Sequence, residues 1–449
     1  MGGAGEKRAS VHTLGCRLNQ AETALLEEQL TAAGYTLVPF GEAADLAIVN
    51  TCTVTGEADA KSRKLIRQFI RRNPGAYAAV VGCYAQTGYA ALAEIPGVDL
   101  IVGNEEKLNV LHYVAEGKNS PPLVVRDKLQ RDDFEVPFCE GGAAIERRTN
   151  LKVQDGCDFM CSFCLIPFAR GRARSRALED LVAEARSLAA RGARELVLTG
   201  VNIGTYAHRG RGVLDVVDAL NGVEGLARVR ISSIEPTTIP EALFERMADP
   251  AHNLVPYLHL PMQSGSDAVL RAMKRRYTRA EFLDFARMAA DRVPDIGLGT
   301  DILVGFPGET DRDLEDTLDV LERGPFFYAH VFKYSERRGT AATRLPDPVD
   351  PKTAASRSAR LRRCGARKTR AFHECLVGRT VEVLFEQAED GWWTGYTGNY
   401  ARVAVRSRES LRNVLGTVRI DGVVGDVATG ELAGPRAPGA RKELLHHGG

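Results

Sequence analysis

The 449-residue sequence contains no run of about 18 apolar residues, the length that a membrane-spanning helix needs. Its first ten residues, MGGAGEKRAS, lack the apolar core of a secretory signal. These two absences predict a cytoplasmic protein that does not enter the membrane. Structural disulfides are rare in that compartment, so the nine cysteines are better interpreted as metal ligands, catalytic thiols or small buried side chains.

An excess of charge of one sign is also missing, because 59 basic and 58 acidic residues leave a formal net charge of +1. The chain as a whole therefore lacks the electrostatic signature of a nucleic-acid-binding protein. Three local stretches differ, since each has several basic residues and no acidic one. They are KSRKLIRQFIRR (61–72), ARGRARSR (169–176) and ARLRRCGARKTR (359–370), and together they favour a polyanionic partner.

The order of apolar patterns predicts an α/β protein with three domains. Residues 8–118 alternate strands and helices, which indicates an open parallel sheet, and the polar residues 119–142 are typical of a linker. Six further strand–helix units in residues 143–372 predict a partial parallel barrel, although an open sheet would give similar periodicity. Residues 373–435 change to short strands with glycine turns, which predicts a small five-stranded barrel, and residues 436–449 are expected to be disordered.

Three cysteines lie within the eight residues CDFMCSFC, with C-x3-C-x2-C spacing and no fourth cysteine nearby. A structural zinc site needs four ligands. Three thiolates can instead hold three irons of a four-iron cluster and leave the last iron open to a small molecule. Cys157, Cys161 and Cys164 directly follow a predicted strand, at the end where barrel active sites form. A zinc site completed from elsewhere and a set of buried thiols are the alternatives.

A second set of three cysteines is scattered in the sequence but shares one structural position. Cys16, Cys52 and Cys83 each come directly after a predicted strand of the N-terminal sheet. The carboxyl ends of parallel strands share one edge, so these thiols are expected to converge there. The alternative is three small buried side chains. Three further cysteines fit neither set and are interpreted as incidental thiols: Cys139, Cys364 and Cys375.

These motifs carry a family resemblance. The C-x3-C-x2-C motif after a barrel strand resembles the radical S-adenosylmethionine (SAM) enzymes. With TLGCRLNQAET, NTCTVTGEADAKSR and GCYAQ, the chain resembles the methylthiotransferases, which attach a methylthio group to an unactivated carbon. The resemblance runs from about residue 9 to about residue 433, and the C-terminal barrel is similar to the RNA-binding TRAM domain of that family.

Within the family, NTCTVT and CSFCLIPFARGRARSR look most like the branch that acts on threonylcarbamoyladenosine beside the tRNA anticodon. Sister branches act on isopentenyladenosine in tRNA or on an aspartate of a ribosomal protein, and both stay open as alternatives. A non-enzymatic RNA-binding iron–sulfur sensor is a further alternative, but it would need only one cluster and no SAM pocket.

The resemblance implies two [4Fe–4S] clusters, with SAM as the second cofactor. Cys157, Cys161 and Cys164 would hold the cluster that binds SAM and cleaves it to methionine and a 5′-deoxyadenosyl radical. Cys16, Cys52 and Cys83 would hold an auxiliary cluster that carries the sulfur, and a second SAM would supply the methyl group. The implied partners are the anticodon loop of tRNA, an electron donor such as a flavodoxin or ferredoxin, and a sulfur source.

Residues at the carboxyl ends of the barrel strands are expected to bind SAM, with turn or capping roles as the alternative. Glu235 is the strongest of them, because a carboxylate there has no obvious packing role. The predicted SAM contacts are Phe163, Gly200, Asn202, Ser233, Glu235, Gln263 and Gly305. RNA contacts are expected from cations beside the cysteine loop and from rings of the C-terminal barrel, some of which could instead fill its core. They are Arg170, Arg172, Arg174, Arg176, Trp392, Trp393, Tyr396 and Tyr400.

Overall fold

The computed structural model describes residues 7–114, 117–139 and 143–435. The predicted disordered tail lies outside the described residues. An open parallel sheet, a divided parallel sheet and a closed barrel follow one another along the chain, which confirms the predicted fold class. In the described ranges, no helix is long and apolar enough to cross a membrane.

The N-terminal domain is a parallel sheet with helices on its faces. Its strands are β1 (Arg8–Thr13), β2 (Thr36–Leu37), β3 (Leu46–Thr51), β4 (Tyr77–Gly82), β5 (Leu100–Val102) and β6 (Leu123–Val125). Its helices are α1 (Arg17–Ala32), α2 (Gly56–Arg72), α3 (Cys83–Thr87) and α4 (Tyr89–Ala93). The strand order β2-β1-β3-β4-β5-β6 puts β1, β3 and β4 side by side. Both central strands, β3 and β4, are buried along their whole length, which explains their continuous apolar sequences.

This sheet continues past the predicted domain boundary at residue 118. Strand β6 pairs in parallel with β5, so part of the predicted linker at 119–142 belongs to the sheet. The sequence prediction was wrong here because the strand is only three residues long and directly follows two prolines. So short a segment carries no readable periodicity.

The central domain contains the six predicted strand–helix units. Its strands are β7 (Thr149–Lys152), β8 (Gln154–Asp155), β9 (Arg174–Ser175), β10 (Glu195–Thr199), β11 (Arg228–Ile231), β12 (Tyr257–Gln263), β13 (Gly297–Val304) and β14 (Phe326–Lys333). Its helices are α5 (Ile166–Arg170), α6 (Leu178–Ala190), α7 (Val213–Asn221), α8 (Ala242–Ala248), α9 (Asp267–Ala272), α10 (Arg279–Arg292), α11 (Asp311–Arg323) and α12 (Pro351–Glu374). These strands include two three-stranded parallel sheets, with the strand orders β7-β10-β11 and β12-β13-β14. A β-bridge between Val229 and Leu254 links the neighbouring edges of the two sheets. This arrangement is a partial barrel with one continuous apolar core.

The C-terminal domain is the predicted five-stranded barrel. Its strands are β15 (Thr380–Glu389), β16 (Trp392–Thr397), β17 (Arg402–Arg406), β18 (Leu415–Val424) and β19 (Val427–Pro435), closed in the order β15-β16-β17-β19-β18. Two buried arginines of β11 attach it to the central domain. Arg228 donates to the Glu382 carbonyl at 2.9 Å, and Arg230 donates to the Gly398 carbonyl at 2.8 Å. Glu195 lies 2.7 Å from Arg230, so the buried charge is compensated.

Candidate radical SAM active site

The three N-terminal cysteines converge at the carboxyl edge of the sheet. Cys16 caps α1 after β1, Cys52 follows β3, and Cys83 opens α3 after β4. Their loops touch, because a Cβ added to Gly15 would lie 2.9 Å from the Cys52 Sγ. Burial raises the pKa of Cys52 to about 11, and the nearby Cys83 and Cys16 thiols add to the rise. The structure therefore brings together the three thiols that the strand-end argument selected.

The second triplet lies on the loop between β8 and α5, at the carboxyl end of the partial barrel. Burial raises the pKa of Cys157 to about 11 and that of Cys164 to about 12, and Cys161 adds to both. The Ile166 amide donates to the Cys164 Sγ at 3.4 Å, and Arg275 Nη1 donates to the Cys161 Sγ at 3.3 Å. Buried thiols with raised pKa values stay protonated unless a metal deprotonates them.

The spacing of these thiols fits clusters better than single ions. Within the described parts of the chain, three possible ligand atoms lie mutually within 4.8 Å only at His259, Asp301 and His330. In neither triplet, therefore, do all three Sγ atoms lie mutually within 4.8 Å, which is compatible with thiolates on separate irons. Of the remaining cysteines, Cys364 is buried in α12, Cys375 is exposed at its end and Cys139 is half-buried.

A buried charge network joins the two triplets. Glu22 on α1 contacts Lys107 Nζ at 2.5 Å and Lys152 Nζ at 2.9 Å. Arg170 Nη2 lies 2.9 Å from Glu22, and its Nη1 lies 3.0 Å from Asp155. All five side chains are almost inaccessible, so each charge depends on the others. The helix that starts at the first thiol triplet is thereby fixed to the strand and helix that flank the second.

Buried ion pairs contradict part of the predicted RNA-binding surface. Arg170 forms ion pairs with Glu22 and Asp155. Arg174 pairs with Glu105 at 3.0 Å, and Arg176 pairs with Asp180 and Glu184. These three arginines are buried and cannot meet phosphates, so that prediction was wrong for them. Only Arg172 of the four is substantially exposed, and it lies 3.6 Å from Asp158.

The polar residues after the first two barrel strands form a tight local structure. Gln154 Oε1 accepts hydrogen bonds from the amides of Val201 and Asn202, at 2.8 and 3.0 Å. Gly200 is glycine because a Cβ there would approach this Oε1 to 2.8 Å. Asn202 uses its Oδ1 to accept from the Glu235 amide at 3.2 Å, while its buried Nδ2 has no hydrogen-bond partner in the described parts of the chain. An unpaired buried donor at a strand end is a group that a ligand oxygen could satisfy.

Glu235 has a partner that the sequence did not reveal. Its Oε2 lies 2.5 Å from Arg275 Nη2, the guanidinium that also contacts Cys161. Burial raises the pKa of Glu235, although Arg275 opposes the rise. The prediction assumed that the Glu235 carboxylate has no structural role, and that assumption was wrong. Arg275 lies in the sequence MKRRYT, where no local pattern distinguishes it from its neighbour Arg276.

The other predicted SAM contacts lie at the same barrel edge in varied roles. Ser233 accepts from the Ile203 amide through its carbonyl at 3.4 Å, and Gln263 ends β12 with a φ of 72°. Gly305 has a φ of 78°, and a Cβ there would lie 2.7 Å from Ala354 on α12. Phe163 packs edge-on against Phe306, with ring centroids 6.5 Å apart.

Most aromatic residues of the C-terminal barrel are occupied by protein contacts. Trp393 is buried in the barrel core, so its predicted role in RNA stacking was wrong. Tyr396 and Tyr400 stack on each other at 4.8 Å, and the Arg148 guanidinium lies 4.3 Å from the Tyr396 ring. Trp392 is partly exposed beside Arg406.

The two halves of the site match known families. A family described as the radical SAM superfamily matches residues 151–321, and one described as uncharacterized protein family UPF0004 matches residues 8–103. A radical SAM methyltransferase, TsrM from Kitasatospora setae, solved with tryptophan and a SAM analogue, aligns at a TM-score of 0.50 and 16% identity over 73% of each chain. Fold and thiol loop thus define a radical SAM enzyme.

Two curated relatives narrow the class. The chain is 35% identical over 426 residues to threonylcarbamoyladenosine tRNA methylthiotransferase MtaB of Bacillus subtilis, covering 91% of this chain and 92% of that protein. It is 34% identical over 439 residues to tRNA-2-methylthio-N(6)-dimethylallyladenosine synthase of Cereibacter sphaeroides, covering 95% and 99%. The chain belongs to the radical SAM methylthiotransferase family, whose cofactors include SAM and an iron–sulfur cluster.

Proposed function

We propose that this enzyme methylthiolates C2 of N6-threonylcarbamoyladenosine next to the tRNA anticodon, giving 2-methylthio-N6-threonylcarbamoyladenosine. The proposal rests on one observation. Each of two domains has three cysteine thiols at the carboxyl ends of its strands, and a single buried charge network joins the two thiol triplets. Each set has three thiols, so each cluster would keep one open iron. Similarity along almost the whole chain to the Bacillus enzyme supports this substrate.

Cys157, Cys161 and Cys164 would hold one [4Fe–4S] cluster, and Cys16, Cys52 and Cys83 the other. The first cluster would supply the electron that cleaves SAM, and the second would supply the sulfur that is transferred. Neighbouring side chains would hold these thiols in place. Arg275 orients Cys161, and Asn104 Nδ2 lies 3.5 Å from the Cys83 Sγ while donating to the Ala169 carbonyl at 2.7 Å. Asn104 thus connects a thiol of the N-terminal domain to helix α5 of the central domain.

The proposed reaction also needs an electron donor and a sulfur source. A flavodoxin or ferredoxin would supply electrons, a separate donor would supply sulfur, and a cytoplasmic location suits work on tRNA. Isopentenyladenosine in tRNA is the second candidate substrate, because the relative from Cereibacter is almost as similar as the one from Bacillus.

The test is nucleoside mass analysis with the anaerobically reconstituted protein, SAM and a reductant. Separate reactions would contain tRNA bearing threonylcarbamoyladenosine or isopentenyladenosine. We expect a methylthio mass gain on the first only, lost in Cys16→Ala and Cys157→Ala and retained in the exposed-cysteine control Cys375→Ala. A gain on the second only would correct the substrate. No gain on either, with SAM still cleaved, would overturn the tRNA assignment and favour the ribosomal-protein alternative.

A further inference from the structure

A cavity of about 510 Å³ is lined by residues that follow one thiol of each triplet in the chain. Its wall includes Tyr84, the residue after Cys83, and Leu165, the residue after Cys164, and also Gln86 and Phe168 slightly farther along the same segments. Its volume is within the range typical of small-molecule sites. Phe168 is half exposed, so its ring could stack on a base. A nucleoside held here would contact the chain neighbours of Cys83 and Cys164.

The charge of this cavity is unbalanced. Its lining contains one carboxylate, Asp59, and three guanidinium groups, Arg126, Arg337 and Arg338. Arg337 is used internally, because its Nη2 lies 2.6 Å from Asp59 and 2.7 Å from the Thr53 hydroxyl. Among the described residues, neither Arg126 nor Arg338 has a carboxylate within 4.0 Å, and Arg126 lies over the Tyr89 ring. The wall therefore keeps about two positive charges that no carboxylate of the described residues neutralises.

This charge discriminates between the two candidate nucleosides. Threonylcarbamoyladenosine carries a carboxylate on its N6 substituent, whereas the isopentenyl group is uncharged and apolar. An arginine fork suits a carboxylate because it can donate two parallel hydrogen bonds. The buried Nε of Arg337 also has no hydrogen-bond partner among the residues that the structure describes, and a carboxylate is an acceptor of the kind that it could use.

We propose that Arg338 and Arg126 form an anion subsite that binds the carboxylate of the N6-threonylcarbamoyl group and thereby selects this nucleoside over isopentenyladenosine. The proposal rests on the proposed function above. A backbone phosphate of the same RNA would present similar chemistry to the same arginines. The experiment must therefore separate these two sources of negative charge.

The test is equilibrium binding, without turnover, of labelled anticodon stem–loops to the anaerobically reconstituted protein. The three probes carry threonylcarbamoyladenosine, its methyl ester, or unmodified adenosine at the same position. The variants are Arg338→Gln and Arg126→Gln. The matched control is Arg344→Gln, an exposed arginine of the same segment that does not line the cavity.

We expect Arg338→Gln to raise the Kd of the threonylcarbamoyl probe roughly 10- to 100-fold, the size expected for hydrogen bonds to a charged group. The methyl ester should bind the unmodified protein more weakly and be insensitive to the substitution, and Arg344→Gln should change little. Arg126→Gln should show the same pattern with a smaller loss, because its guanidinium also lies over Tyr89.

Two results would overturn the proposal. If Arg338→Gln weakens all three probes equally and lowers the salt slope of binding by about one, the arginine contacts a phosphate. If neither variant weakens any probe, the cavity holds no anion. These binding results can be told apart from a failure of the proposed reaction. Turnover on isopentenyladenosine alone would refute the proposed reaction. The measured affinities would still show which group the two arginines bind.

Discussion

Glu22→Gln is the most informative perturbation of the buried network, because Glu22 meets three cations at once. Burial alone would raise the pKa of Glu22, but Arg170, Lys107 and Lys152 hold it well below its ordinary value. The substitution keeps the shape of the side chain and removes its charge. Asp155 is then the only carboxylate of the network for three buried cations.

The expected loss can be estimated from the geometry. Removing one partner of a buried ion pair costs about 3–5 kcal/mol. Part is recovered if Lys107, whose pKa burial already lowers, releases its proton. We therefore expect about 3 kcal/mol, which is roughly a 100-fold increase in the opening of helix α1. Hydrogen exchange of the α1 amides measures this opening directly and does not require the whole chain to unfold in one step.

The matched control is Glu42→Gln, which removes the partner of Arg8 in an exposed pair 3.1 Å apart and should cost less than about 1 kcal/mol. The pH dependence has a definite sign. Because the folded pKa of Glu22 is depressed, its contribution is complete above the ordinary value near 4.5 and is lost as the pH falls below it. The gap between the unsubstituted protein and Glu22→Gln should therefore close in acid. Equal exchange in the two variants at neutral pH would refute the reasoning and show that burying these charges offsets their attraction.

Two further predictions concern single contacts. In a background without the N-terminal thiol triplet, Arg275→Met should weaken the EPR signal of the reduced cluster at a fixed reductant concentration, because a thiolate loses a hydrogen bond and a nearby cation. The neighbouring Arg276→Met should not, and equal signals would contradict the role of Arg275. Trp393→Ala should destabilise the C-terminal barrel by about 3–5 kcal/mol, whereas the partly exposed Trp392→Ala should cost far less. Each variant leaves one tryptophan whose fluorescence can follow urea unfolding, and the reverse ranking would refute the assignment of Trp393 to the core.

The sequence could predict the features that depend on local pattern. The strands LAIV and AAVV are buried on both sides, so their apolar runs are unambiguous, and a cysteine after each strand must lie at the carboxyl edge. The C-x3-C-x2-C loop is local by definition. The contact between Arg275 and Cys161 was not predictable in this way, because 114 residues separate the two in the chain. No periodicity reports a partner at that distance.

The arginines show why a cluster of charge in the sequence is a poor guide to an anion site. In ARGRARSR, three of the four guanidiniums are neutralised by carboxylates, and the partners Glu22 of Arg170 and Glu105 of Arg174 lie far away in the sequence. Arg126 and Arg338 attract no notice in the sequence, yet the fold brings them to one cavity wall, where no carboxylate of the described residues lies within 4.0 Å of either. Burying a charge requires compensation, so a dense run of arginines inside a fold implies carboxylates already committed to it. The cations available to a substrate are those that folding leaves uncompensated, and only the three-dimensional structure identifies them.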